Sequence, residues 1–259
     1  MAIVEAMRMT TTRRLIGGVL LLACAGCSLP PQPIIEYRVE AAPIMPDRST
    51  LYYEDPVDST IVWSKEGLQL KVRFYNDAML DERFEPKVSP YTLTGWVDPH
   101  IGYTPPLWTT FEITVINRTR ERVELDPTRV ILRLDNGNFF YCRQGVGVWK
   151  NLPHYVDYSY LKWGSRAGNV EFYANTDRND IWRRTEFQRE KPIRKGRKYT
   201  GMLTFPALPK ETKHITLEIN DFILAYDSAE AGFGNPIEFT DIHFSFNVEQ
   251  GVFTVEESQ

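Results

Sequence analysis

Three cysteines, four histidines and 34 carboxylates are the reactive side chains of this 259-residue chain. Two of the thiols, Cys24 and Cys27, sit three residues apart at the end of a short apolar run. The third, Cys142, closes the strand-like run "FFYC". A cysteine in such a run behaves as a small buried hydrophobe unless something lowers its pKa, and no motif around Cys142 does so. His100, His154, His214 and His243 are scattered, none with a second His or Cys at zinc-ligand spacing. No metal and no cofactor is therefore expected. "GSRAG" from Gly164 carries its serine one place too early for a nucleophile elbow. "DSAEAGFGNP", Asp227 to Pro236, is rich in oxygen donors but lacks the order of a calcium loop. The carboxylates are too many for a glycosidase-type pair to stand out. A hydrolase with an unrecognised carboxylate pair stays as a second alternative, and no catalytic residue is named.

The apolar run Leu15–Ala23 is nine residues long. A membrane-spanning helix needs about 20. Nine suits the core of a secretory signal, with Arg8, Arg13 and Arg14 before it and the small residues Ala23, Ala25 and Gly26 after it. "CAGC", ending at Cys27, resembles the lipobox of Gram-negative bacterial lipoproteins. The resemblance implies a diacylglyceryl (palmitate-type) thioether on Cys27, cleavage before it, and acylation of the new amino terminus. Cys24 stands where leucine is usual, and "LLAC" also fits loosely, so Cys24 is the alternative lipid site. A plain secreted protein is the bland reading. Several acyl chains anchor firmly, since each buried methylene contributes about 0.8 kcal/mol. Ser28 in place of aspartate implies, by the same resemblance, the outer membrane, facing the periplasm or the cell surface.

From Cys27 onward the chain would hold 27 basic against 33 acidic residues, a net charge of −6. That gives no global attraction for nucleic acid. With Cys27 lipidated, Cys142 would have no partner for an intramolecular disulfide.

These residues need elements to hold them. Residues 27–59 carry six prolines from Pro30 to Pro56 and read as an extended tether, although Ile34, Ile35 and Tyr37 could pack on the domain. Beyond it, residues 60–259 read as one strand-rich domain. "LQLKVRFY" alternates Leu68, Leu70, Val72 and Phe74 with polar residues, the period of a half-buried strand. "FEITVIN", "RVILRL", "KYTGMLTF", "HITLEI", "DFILAY" and "DIHFSFNV" repeat the pattern. "DNGN", Asp135 to Asn138, predicts a hairpin with a type I′ turn. Short strands without alternating helices predict a mainly β, antiparallel sandwich. "TFEITVINRTRERVELDPTRVILRLDNGNFFYC" and "KGRKYTGMLTFPAL" are similar to immunoglobulin-like domains of bacterial lipoproteins, over roughly Thr110 to Val248. The resemblance implies a fold and no particular activity.

Residues 145–196 are too long for a sandwich loop and read as an aromatic-rich, partly helical insert, with short helices expected near Tyr155–Trp163 and Asn179–Phe187. Trp149, Tyr155, Tyr158, Tyr160, Trp163 and Trp182 offer flat contact surfaces. Arg183 and Arg184 belong to a basic stretch, Arg178 to Lys198, on an otherwise acidic protein. The expectation is a non-enzymatic, lipid-anchored envelope protein that contacts a protein partner. Glycan or cell-wall binding through the aromatic insert is the alternative.

Overall fold

The computed structural model describes residues 34–46, 49–86, 88–94, 96–145, 168–228 and 233–255. Ile35–Phe253 is one compact unit; a second, Met1–Ile34 with Thr254–Gln259, lies almost wholly outside the described residues.

Two five-stranded sheets form the body. The first runs β1 (Ile34–Ile44), β12 (Pro236–Val255), β11 (His214–Tyr226), β7 (Val130–Leu134), β8 (Phe139–Tyr141). The second runs β10 (Arg197–Pro206), β5 (Trp108–Asn117), β4 (Leu68–Tyr75), β3 (Thr60–Lys65), β2 (Tyr52–Asp55), all antiparallel. A small ladder joins β6 (Arg122–Val123) to β9 (Ile193–Arg194). Every second residue of β4 is buried, as its alternation requires. Those side chains meet Phe111, Ile113 and Val115 of β5 and, from the facing sheet, Leu132, Leu217, Phe244 and Phe246. Burying each such side chain contributes about 2–3 kcal/mol. The predicted antiparallel sandwich is thus the observed architecture.

In β11 the buried positions shift from Ile215, Leu217 and Ile219 to Phe222 and Leu224. A bulge at Asp221, whose φ is +52°, changes the parity so that both halves face the core. The Asp221 amide donates to Asp241 Oδ1 at 2.9 Å, and its carboxylate pairs with Arg129.

The expected tether is largely folded. β1 and β2 lie inside residues 27–59, and Val39, Ala41 and Met45 pack on the core. The prolines there tolerate a sheet edge: Pro43 lies in β1, the last strand of its sheet. The "DNGN" hairpin joins β7 to β8, but without a type I′ turn. Leu134 N–H donates to Asn138 O at 2.8 Å across a three-residue loop in which Gly137 alone is left-handed, φ +85°. The two-residue turn with both φ positive is Glu66–Gly67, between β3 and β4.

Among the described residues, two α-helices complete the fold. α1 (Asp77–Arg83) is capped by Asn76, whose side chain accepts from Met79 N–H at 2.9 Å. α2 spans Gly168–Thr185 as one 18-residue helix, longer at its start than the short element expected near Asn179–Phe187. The other expected helix, Tyr155–Trp163, lies outside the described residues.

Candidate functional site

Trp182 illustrates how the fold spends its aromatics. With the odd residues of β5 facing the main core, Trp108 and its neighbours must lie on the outer face of the second sheet. That face is covered. Leu80 of α1, Tyr91, Trp108, Met202 of β10 and Trp182 form a second core. Trp182 is 0% exposed, stacked on Tyr91 at 5.3 Å between ring centroids and set against Trp108 at 6.0 Å. Its Nε1–H donates to Glu186 Oε2 at 2.9 Å, and Tyr91 and Thr185 share a hydroxyl hydrogen bond of 2.5 Å. The Trp182 ring is therefore not available to a partner. The residue sits on the buried side of α2, where its area stabilises the helix against the sheet. Tyr91, which composition did not single out, is its counterpart, and burial raises its phenol above the ordinary range. Cys142 is buried as expected, with its thiol pushed up to about 12 by desolvation.

Cys24, Cys27, Trp149, Tyr155, Tyr158, Tyr160 and Trp163 lie outside the described residues. Arg183 and Arg184 are exposed at the end of α2; Arg183 approaches Asp180 at 3.6 Å and Arg184 Nε donates to the Asp180 carbonyl at 3.1 Å.

Among the described residues no group of three or more His, Cys, Asp or Glu is placed to hold a metal ion. Two carboxylates, Asp77 and Asp81, lie one turn apart on α1. Asp81 accepts hydrogen bonds from the hydroxyls of Thr92, at 2.6 Å, and Thr94. Asp77 is pushed up to about 7 by burial and, secondarily, by the Asp81 charge. Asp77 can therefore hold and release a proton near neutrality.

Two exposed surfaces stand out among the described residues. The first is the β8 edge. The ladder bonds of the β7–β8 hairpin fall at Leu134–Asn138 and Val130–Cys142. By antiparallel alternation, the backbone N–H and C=O groups of Phe139 and Tyr141 point away from β7, on the side where the next residue of that parity, Arg143, donates its N–H to Thr204 O of β10 at 2.7 Å. Their side chains are 45% and 63% exposed and meet edge-to-face at 5.3 Å. Opposite them lie Arg133 and Ile131. Arg133 is paired with Glu218 through two hydrogen bonds of 2.5 and 2.9 Å, which leaves the aromatic pair beside a neutralised surface.

The second surface is one pole of the sandwich. Arg194 and Lys195, then Arg197 and Lys198, flank the β9–β10 turn at Gly196 (φ +74°), and all four are exposed. Gly196 N–H donates to Asn117 O at 2.6 Å and Lys195 N–H to Glu121 O at 3.2 Å, which docks this hairpin on the β5–β6 turn. Arg120 of that turn binds Glu66 and Glu238, each at 2.7 Å. The basic stretch is visible in the sequence; its docking on the β5–β6 turn is set by the tertiary structure.

No family model, curated protein or solved structure matches the chain.

Proposed function

We propose that this protein is a lipid-anchored, non-enzymatic component of the bacterial cell envelope, and that an immunoglobulin-like form of its sandwich offers the β8 edge to a protein partner. The observation that carries the reading is the Phe139–Tyr141 pair. Two aromatic side chains stand in solvent on a terminal strand, where their backbone groups point away from β7. Strand addition supplies affinity through main-chain hydrogen bonds and specificity through the side chains on one face. Aromatic rings are also enriched where proteins meet.

Two features support the rest. β1 begins seven residues after Cys27, so at most about 25 Å of chain would separate a lipid on that cysteine from the folded body. The immunoglobulin-like form is supported by two packed antiparallel sheets and by the passage from β5 to β7 through Leu125, Asp126 and the 3₁₀ turn Pro127–Arg129. Asp126 caps that turn by accepting from Thr128 N–H at 2.9 Å.

The experiment is site-specific photo-cross-linking from position 141 in intact envelopes, with the mass of the mature amino terminus measured on the same protein. A discrete protein adduct, lost with Phe139→Ser, and a lipidated Cys27 are expected. Adducts to glycan alone, or an unmodified leader still attached, would overturn the reading.

A further inference from the structure

The basic pole has a chemistry that partner binding at β8 does not use. Arg194 stands directly opposite Arg122 in the β6–β9 ladder, and like charges so placed destabilise a strand pair. Arg122 is turned inward instead. It lies over the Tyr226 ring, 3.4 Å from its centroid, and donates to the Phe233 carbonyl at 2.9 Å. The carboxylates of the pole are mostly committed. Glu66 and Glu238 hold Arg120, Glu124 accepts from the Tyr226 hydroxyl at 2.7 Å, and Asp227 accepts from Asn235 N–H at 2.7 Å. Glu121 is the one further acid of the β5–β6 turn. Among the described residues, Arg118, Arg194, Lys195, Arg197 and Lys198 have no acidic partner.

Large apolar side chains share this pole. Phe233, bonded through its carbonyl to Arg122, is 67% exposed. Ile237 and Phe239, on either side of Glu238 in β12 and so on the opposite face of the sheet from it, are 63% and 51% exposed at the same end of the strand. Next to Phe233, Asp227 N–H donates to Asn235 O at 3.0 Å, and a Cβ on Gly234 would meet Asp227 Oδ1 at 2.5 Å. Cations beside solvent-held aromatic and aliphatic side chains match a lipid–water interface. There phosphate takes the charge and the headgroup–acyl boundary takes the rings.

We propose that this pole docks on a bilayer containing anionic phospholipid, with Arg194, Lys195, Arg197 and Lys198 on the phosphates and Phe233 entering the boundary region. A purely acidic segment would satisfy the cations but leaves Phe233 without a counterpart. The pole lies at the far end of the sandwich from the start of the described chain. β10 runs from Arg197, opposite Asn117, to Pro206, opposite Trp108, about 30 Å away. Tyr37 of β1 binds Gln250, which binds Pro209 and Thr212 at that distant end. The docking is a contact of the folded body itself.

The test uses the full chain with Cys24→Ser and Cys27→Ser, so that no lipid on the protein contributes. Sedimentation is measured with phosphatidylcholine vesicles, with and without phosphatidylglycerol. Binding only to the phosphatidylglycerol vesicles is expected, weakening as salt rises. Lys195→Glu with Lys198→Glu should lower it at least about 30-fold. Arg183→Glu with Arg184→Glu, the same charge change away from the pole, should leave it unchanged. A polarity-sensitive fluorophore on Phe233→Cys should shift to the blue with anionic vesicles; Cys142 is buried and does not compete for the label. Equal binding to both vesicle types, loss with the Arg183/Arg184 variant as great as with the Lys195/Lys198 one, or charge-dependent binding without the spectral shift would each overturn the proposal.

Discussion

The Arg122 guanidinium lies over the Tyr226 ring, 3.4 Å from its centroid, and the Tyr226 hydroxyl donates to Glu124 at 2.7 Å. A buried cation is thereby held between a ring and a backbone carbonyl at the foot of the basic pole. Burial, then the hydrogen bond and charge of Glu124, raise the Tyr226 phenol above its ordinary range. Tyr226→Phe keeps the ring and loses the hydrogen bond, an expected cost of about 1 kcal/mol. Tyr226→Ala also uncovers Arg122 and should cost about 3 kcal/mol or more. Urea unfolding of both variants checks the order; equal costs would mean that the ring contributes nothing.

Trp182 has a structural task. Trp182→Ala removes the ring that Tyr91 and Trp108 pack against and should destabilise by about 3–5 kcal/mol. Trp182→Phe keeps most of the volume but leaves Glu186 without the indole donor, and should cost about half as much. Thermal unfolding distinguishes this from a surface role, in which Trp182→Ala would leave stability unchanged.

Gly201 is a close-approach glycine in β10. A Cβ there would meet Phe187 Cα at 2.6 Å and Phe187 N at 2.8 Å, both backbone atoms. The segment it would push away covers the outer edge of β10 through the Phe187 N–H···O Met202 bond of 2.9 Å. Gly201→Ala is expected to cost about 1–3 kcal/mol and to speed amide exchange at Phe187 before it affects β4. Unchanged exchange at Phe187 would refute the close approach.

Asp77 gives the fold a pH dependence of definite sign. Its folded-state pKa, about 7, lies above the ordinary 3.8. The folded form therefore holds this proton more tightly than the unfolded chain does. The resulting stability is fully present below about pH 4 and is lost as pH rises through 7. Asp77→Asn should remove this slope, matching the parent at pH 4 and exceeding it by up to roughly 4 kcal/mol at pH 8. Denaturant midpoints at the two pH values measure it, and a mutant less stable at pH 8 would reverse the argument.

The alternation in "LQLKVRFY", "FEITVIN" and "DIHFSFNV" by itself determined that the body is an antiparallel sandwich, because a side chain's face depends only on its position along a strand. The "DNGN" hairpin and the burial of Cys142 were equally local. β1 was hidden because Pro43 within it and the prolines around it outweigh an alternation that a sheet edge tolerates. What faces solvent at Trp182, Phe139 or Arg194 was decided only by tertiary structure. Composition shows a tryptophan but not whether a second layer covers its sheet, and it shows a run of cations but not which carboxylates from distant strands neutralise their neighbours. Those outcomes depend on contacts between residues far apart in the chain, such as Trp182 with Tyr91 and Arg120 with Glu238, which no local pattern encodes.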